Sequence, residues 1–272
     1  MSRSVPFTKI QSIGNDFVLM MLPDVSGLDL SSLTQRICER RFGVGADSSL
    51  FLQVDSRDHL TLLMFNADGT PDFCGNGLRC AIHHAHAQGW IDSEVHVLHG
   101  EQSVRGVVHP DGLIETTLGA PSFDPADIPL ASNEPYFLAE HRGWEISCLT
   151  TGSAHTVVFV PELPSSPTFE TESHFLEHDP LFPERTSIMW TQVIGRDHLR
   201  LRIWERGVGE TLGCGSGSAA AAATYLRREG RGGRVQVENP GGTLLVEADS
   251  WDAPLTLHGR VESRFSGLFW VS

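Results

Sequence analysis

The chain carries one long internal repeat, and that repeat limits what it can fold into. DHLTLLMFNADG begins at Asp58, and DHLRLRIWERG begins at Asp197, 139 positions later. FCGNG places Cys74 and GCGSG places Cys214, 140 positions apart. Gly14 precedes Asn15 and an apolar run, and Gly152, 138 positions on, precedes Ser153 and another. Three ordered landmarks at nearly constant spacing point to an ancestral duplication. Repeat architectures such as solenoids need several copies of roughly 20–50 residues. Two copies of this length instead imply paired domains with a cleft between them, and 272 residues suit about two domains.

Charge narrows the function classes. Twenty basic residues against 34 acidic ones give a net charge of −14. A nucleic-acid binder would show a basic patch or stripe, and a protein held on anionic lipid would show polybasic segments. Neither partner is expected. No apolar run approaches the roughly 18 residues of a membrane span, and the N-terminus has no continuous apolar stretch of a secretory signal. Five cysteines, Cys38, Cys74, Cys80, Cys148 and Cys214, form an odd and sparse set for a chain this long. They read as free thiols of a reducing compartment, so a cytoplasmic location is expected.

Three segments read as helices: Ser31 to Phe42, Gly75 to Gln88 and Gly215 to Glu229, each followed by a glycine stop. Short apolar runs at Asp16–Leu22, Leu60–Phe65, Thr156–Val160, Leu199–Trp204 and Leu244–Glu247 read as strands. Pro121–Pro135, with four prolines, reads as a linker, and Pro161–Pro183 as a loop.

Each Cys-Gly-x-Gly stands where a helix begins. The first helical turn leaves backbone N–H groups unpaired, and glycine lets an anion approach them closely. The same positive end stabilises a thiolate. Cys74 and Cys214 are therefore candidate reactive thiols beside carboxylate-sized anion sites. A pseudo-two-fold axis between the halves would set them face to face. One thiolate could then remove a proton from carbon while the other thiol returned one to the opposite face. Cys38, Cys80 and Cys148 lack this context and read as inert packing. Cys80, His83 and His84 share a helical face, but their spacing fits no standard zinc site, and no metal is expected. The glycine loops match no nucleotide-binding fingerprint.

These motifs resemble the diaminopimelate epimerase family. FNADGTPDFCGNGLRC at Phe65–Cys80 and ERGVGETLGCGSG at Glu205–Gly217 look like its two catalytic motifs. KIQSIGNDFVLM near the N-terminus, RFGVGAD at Arg41–Asp47 and TGSAHTVVFV at Thr151–Val160 also match. The resemblance spans nearly the whole chain. It implies an α/β (α+β) fold of two homologous domains related by pseudo-two-fold symmetry, each a curled, mostly antiparallel sheet around a central helix. The implied halves are residues 1–120 with 263–272, and residues 121–262. It implies a cofactor-independent isomerase that converts LL-diaminopimelate to the meso isomer, a precursor of lysine and of peptidoglycan. Cys74 and Cys214 match its two bases, and His155 and Glu205 match the residues that assist them. Asn15, Ser48, Asn66, Gly75, Asn76, Ser153, Ser187, Arg206, Gly215 and Ser216 fall at substrate-binding positions. The expected partner is a small amino-acid substrate, and a homodimer is possible.

Two positions depart from the family pattern. Ser153, followed by Ala154, stands where the family has asparagine-proline, and Ser187 stands where it has another asparagine. Both asparagines bind the distal, non-reacting end of diaminopimelate in the family. A charged hydrogen bond contributes roughly 1.5–3 kcal/mol, so this substitution leaves open an alternative: a racemase of another amino acid with the same chemical step.

Overall fold

The computed structural model describes residues 3–271. The chain divides into two compact units, Met1–Thr116 with Gly259–Ser272, and Thr117–His258.

The first unit begins with β1 (Arg3–Ser12), β2 (Asn15–Met21), α1 (Leu30–Cys38), β3 (Ser48–Val54) and β4 (His59–Asn66). Then follow α2 (Gly75–Ala87), β5 (Glu94–His99), β6 (Gln102–Val108) and β7 (Ile114–Leu118). The hydrogen-bonded order is β1 to β7 in sequence. The β2–β3 and β4–β5 pairs are parallel, and the others are antiparallel. β3 is buried on both faces, so it reads as an unbroken run, Ser-Ser-Leu-Phe-Leu, and not as an alternation. Leu50 and Leu52 point to the core that holds α2, with Phe17, Met64, Leu78 and Ile82. Phe51 joins Val18, Met20, Leu33 and Ile37 beneath α1.

The second unit repeats this pattern. Its strands are β8 (Ala139–His141), β9 (Trp144–Thr150), β10 (Ala154–Phe159), β11 (Ser187–Gly195), β12 (His198–Glu205) and β13 (Gly209–Thr211). They continue with β14 (Gly233–Asn239), β15 (Gly242–Ala248) and β16 (Leu255–Gly259), and its helices are α3 (Ser166–Glu177) and α4 (Gly215–Glu229). Along β9–β10–β11–β12–β14–β15 the pairs run antiparallel, parallel, antiparallel, parallel, antiparallel. That is the sequence of pairings along β1 to β6. The last strand, β17 (Glu262–Val271), belongs to the first unit and pairs antiparallel with β1. The fold is α+β with mostly antiparallel, curled sheet and four helices among the described residues.

Each unit wraps strands around one helix. α4 touches β9, β10, β11, β12, β14 and β15, and Ala219 to Ala223 are all fully buried. Strands on every side leave room only for small side chains, hence the alanine run. α2 solves the same problem with Gly77, Ala81 and Ala85: a Cβ on Gly77 would stand 3.0 Å from Leu50 Cδ2.

Two elements differ from the sequence reading. α1 starts one residue after Asp29, whose carboxylate accepts the Ser31 N–H, and it ends at Cys38, short of Phe42. Gly43 seals that end, packed so closely on the carbonyls of Arg36 and Ile37 that a Cβ would stand 2.3 Å from one and 2.5 Å from the other. α3 lies inside the stretch read as loop. Its inward residues are Phe169, Ser173 and Leu176, a helical stripe whose middle position is polar and bonds Trp190 Nε1. No described helix is long and apolar enough to cross a membrane.

Leu50 is fully buried against α2. Leu50→Ala is expected to lower unfolding stability by about 2–5 kcal/mol, the usual cost of such a cavity, measured by urea denaturation.

Candidate active site

Two helix starts carry the candidate chemistry. Cys74 is the N-cap of α2 and Cys214 the N-cap of α4, both with extended backbones. Neither first turn contains an acidic residue. The helix-start amides therefore present positive charge with no competing carboxylate.

In the first unit a tight turn at Ile13 and Gly14, both with positive φ, delivers Asn15 to the start of β2. Asn15 Oδ1 accepts from Cys74 Sγ at 3.5 Å and from Asn76 Nδ2 at 3.3 Å. Asn15 Nδ2 donates to Asp47 Oδ2 at 2.9 Å. Arg79, fully buried on α2, donates from Nη2 to Asn76 Oδ1 and from Nε to Ser12 Oγ at 3.4 Å. Its Nη1 has no hydrogen-bond partner among the described residues. Ser48 and Asn66 are β-register partners, and Ser48 Oγ donates to Asn66 Oδ1 at 3.5 Å. Asn66 also closes the turn after β4: its N–H donates to the Thr70 carbonyl and its side chain to Thr70 Oγ1. Gly75 and Asn76 form the first turn of α2.

In the second unit Cys214 Sγ accepts the Gly217 N–H at 3.3 Å and lies 3.5 Å from Ser216 Oγ. Ser216 Oγ lies 3.2 Å from His155 Nε2, and His155 Nδ1 lies 2.7 Å from the Ser153 carbonyl oxygen. A carbonyl only accepts, so Nδ1 carries the proton and Nε2 accepts from the Ser216 hydroxyl. Cys214, Ser216 and His155 thus form a row. Burial lowers the His155 pKa to about 4, keeping the ring neutral near pH 7. Gly215 and Ser216 open α4. Ser187 begins β11 in register with His155, and its Oγ accepts the Arg206 N–H at 3.1 Å. Arg206 is exposed, with Nη1 on the Glu184 carbonyl at 3.1 Å. Glu205, the last residue of β12, accepts from Thr211 Oγ1 at 2.5 Å.

The structure therefore groups Asn15, Cys74 and Asn76 into one cluster and Ser153, His155, Cys214 and Ser216 into another. Ser48 pairs with Asn66, and Ser187 with Arg206. Three supporting residues escaped the sequence reading: Asp47, Arg79 and Asn239. Asn239 Oδ1 accepts from the Cys214 N–H at 3.4 Å and from Ser218 Oγ at 3.0 Å, so it seats the α4 start. Arg79 left one signal, a lone cation among Leu78, Ala81 and Ile82 on an apolar helix face. The remaining thiols sit in apolar surroundings. Burial raises the pKa of Cys38, raises that of Cys80 far above the usual thiol range and pushes Cys148 up to about 12.

Comparison with known proteins bears on the family and the fold. The family model for diaminopimelate epimerase matches residues 7–123 and 147–261. The diaminopimelate epimerase of Moorella thermoacetica is 34% identical over 279 residues, covering 97% of this chain and 98% of that protein. That of Microcystis aeruginosa is 33% identical over 280 residues, covering 97% and 99%. Among solved structures, a PhzF-family phenazine biosynthesis protein of Bacillus anthracis aligns with a TM-score of 0.69 at 16% identity, over 98% of this chain and 99% of its own. A hydroxyproline epimerase of Agrobacterium vitis aligns with a TM-score of 0.67 at 14% identity, over 99% and 93%. At such identities the structural likeness speaks for the fold alone.

His155 also sets a pH dependence. Its folded pKa lies below the unfolded value, so the unfolded chain binds the extra proton between about pH 6.5 and pH 4. The stability due to this group is complete above that window and is lost as pH falls through it, by about 3 kcal/mol. Urea unfolding at half-unit pH steps should show this fall in the parent and a shallower one in His155→Gln.

Proposed function

The chain belongs to the diaminopimelate epimerase family, and on that premise we propose that it interconverts LL- and meso-diaminopimelate by proton transfer at one α-carbon. The observation that carries this reading is the matched pair of N-cap cysteines. Each starts a buried helix at the same topological position of a duplicated fold. One sulfur, as thiolate, takes the α-proton. The other, as thiol, returns a proton to the opposite face, and the configuration inverts. The electron pair left on carbon delocalises into the α-carboxylate, whose oxygens gain negative charge. Backbone N–H groups at Gly75 and Asn76, and at Gly215 and Ser216, are suited to hold that charge.

The second unit supplies a reason for the order of its residues. His155 is neutral, with Nε2 open to the Ser216 O–H. Rotation of that hydroxyl toward Cys214 would add a second donor to the Gly217 N–H already on the sulfur. Both donors favour the thiolate. Arg206, exposed at the end of β12, is placed to receive a carboxylate at the distal end of the substrate. Ser187 fixes the Arg206 backbone, a role a serine fills with one hydroxyl. The two serines therefore leave the distal cation in place.

Exchange of the α-proton in deuterated water tests this directly. The parent protein should exchange both LL- and meso-diaminopimelate under reducing conditions, read by NMR and mass spectrometry, and leave ordinary amino acids untouched. Cys74→Ala and Cys214→Ala should each lose two-sided exchange by at least about a thousandfold, the scale of losing an acid–base group. Arg206→Met should raise KM more than it lowers kcat. Exchange confined to another amino acid would sink the substrate assignment, and wild-type turnover in either cysteine variant would sink the two-thiol step.

A further inference from the structure

The two thiols sit at equivalent positions in different hydrogen-bond surroundings. Cys214 Sγ accepts an N–H. Cys74 Sγ instead faces an oxygen, Asn15 Oδ1, and so must donate. Which end of the Asn15 amide points at the sulfur is fixed by charge on both sides. At one side Asp47 Oδ2 is a pure acceptor, so the group facing it is Nδ2. At the other, Arg79 is a pure donor, so Asn76 turns Oδ1 to the guanidinium and Nδ2 to Asn15. Donors therefore run one way, from Arg79 through Asn76 and Asn15 to Asp47. Turning the Asn15 amide over would set its oxygen against the Asp47 carboxylate and its NH2 against that of Asn76.

Asp47 is itself held. Its Oδ1 receives Arg40 Nη2 at 2.8 Å, and its Oδ2 receives the Asp16 N–H at 3.1 Å in addition to Asn15. Asp16 accepts from Arg40 and Lys9, and its Oδ1 also accepts the Asp47 N–H. Burial pushes the Asp16 carboxyl up, but the Arg40 and Lys9 bonds outweigh it and hold the pKa at about 2. Asp16 thus stays ionised near neutral pH. Charged and titratable groups near Cys74 include Arg79 and Cys80 on its own helix and, beyond Asn15, Asp47, Asp16, Arg40 and Lys9. Arg79 favours a thiolate by its charge. The contact with Asn15 Oδ1 favours the thiol.

We propose that Asp47 is a positioning residue: acting through Asn15, it holds Cys74 as the proton donor of the resting protein and leaves Cys214 as the resting proton acceptor. This rests on the two-thiol reading above. In the first turnover the substrate C–H bond breaks and its proton passes to the Cys214 sulfur. The Cys74 S–H bond breaks and its proton forms the new C–H bond on the opposite face. The protein emerges with Cys74 as thiolate and Cys214 as thiol, and proton exchange with water or a reverse turnover restores the start.

The test is the pH dependence of iodoacetamide alkylation of each cysteine, without substrate, resolved by peptide mass spectrometry. Midpoints on the pH axis are compared, so differences in access to the two sulfurs drop out. In the parent, the Cys214 midpoint should lie at least about one unit below that of Cys74, a tenfold difference in thiolate fraction. Asp47→Asn should lower the Cys74 midpoint by about one unit and leave Cys214 unchanged. Asp47 is partly exposed, with 44% of its side chain accessible, so this variant is expected to fold. Asn15→Ala, which removes the acceptor while keeping the Asp47 charge, should lower the Cys74 midpoint as well. Adding Asp47→Asn to Asn15→Ala should then change little. A Cys74 midpoint below that of Cys214 overturns the assignment. An Asp47 effect undiminished by Asn15→Ala means direct action of charge and overturns the positioning role. Two-sided exchange surviving in Cys74→Ala or Cys214→Ala would overturn the two-thiol reading itself, whatever the midpoints; its loss with reversed midpoints would overturn only this inference.

Discussion

A helix enclosed by strands can meet a ligand only at its ends. α2 and α4 each pack against six strands of their unit, and their middle turns are buried. What the sheet leaves available is the N-terminal turn, with backbone N–H groups that no helical carbonyl can satisfy. The enclosure demands small residues along the helix, which explains the alanines of α4 and the glycine and alanines of α2. It also fixes the position of the N-cap against the strand ends nearby. Asn15 at the start of β2 reaches Cys74, and Asn239 at the end of β14 reaches the Cys214 backbone. The two N-cap sulfurs are thus placed by the packing of the whole unit and not by the short loops that carry them.

Duplication supplies two such ends, and divergence makes them unequal. Asn15 opens β2, and the corresponding β10 opens at Ala154, beside His155. Ser48 and Ser187 open the third strand of each set. Asn76 at the second helical position becomes Ser216, and buried Arg79 becomes Ala219. An epimerase needs this inequality at every instant, because one sulfur must be basic while the other is acidic. A symmetric pair would divide its population between productive and unproductive protonation states. A side chain that accepts at one sulfur and a backbone N–H that donates at the other would bias that distribution before any ligand arrives.

The duplication, the two central helices and the glycine-flanked cysteines at their starts were readable because each leaves a local mark. A repeat at constant offset, a glycine-flanked cysteine and an alanine run are all properties of short stretches. The features that were not readable depend on partners far away in the chain. α3 hides because Ser173 interrupts its apolar stripe, and only Trp190 makes that serine an inward residue. Asp47 lies in a matched motif, yet its contact with Asn15 spans 32 positions. Asn239 ends a strand that reads as ordinary, and its bond to Ser218 spans 21. The sequence places the start of α1 at Ser31 instead of Leu30 because Asp29, Ser31 and Ser32 are all good caps, and the winner is the one whose carboxylate reaches Ser31 N–H.

Substrate choice depends on a smaller margin than the proton step. An asparagine side chain offers a donor and an acceptor at longer reach, while a serine offers one hydroxyl close to the backbone. At Ser187 that hydroxyl is already engaged with the Arg206 N–H, so its contribution is to hold a loop rather than to reach outward. At Ser153 the main-chain carbonyl orients His155, a bond any residue at that position could make. On the proposed reading, recognition of the distal end falls chiefly on the Arg206 guanidinium, which can grip a carboxylate with two parallel bonds. A charge-assisted bidentate contact retains the distinction between a substrate with a second carboxylate and one without. It discriminates less well among the groups that carry that carboxylate, because it no longer works with two amides that fix their orientation. On that reading, serines in place of the asparagines relax selectivity at the distal end and leave the proposed chemistry at the α-carbon to the two helix starts.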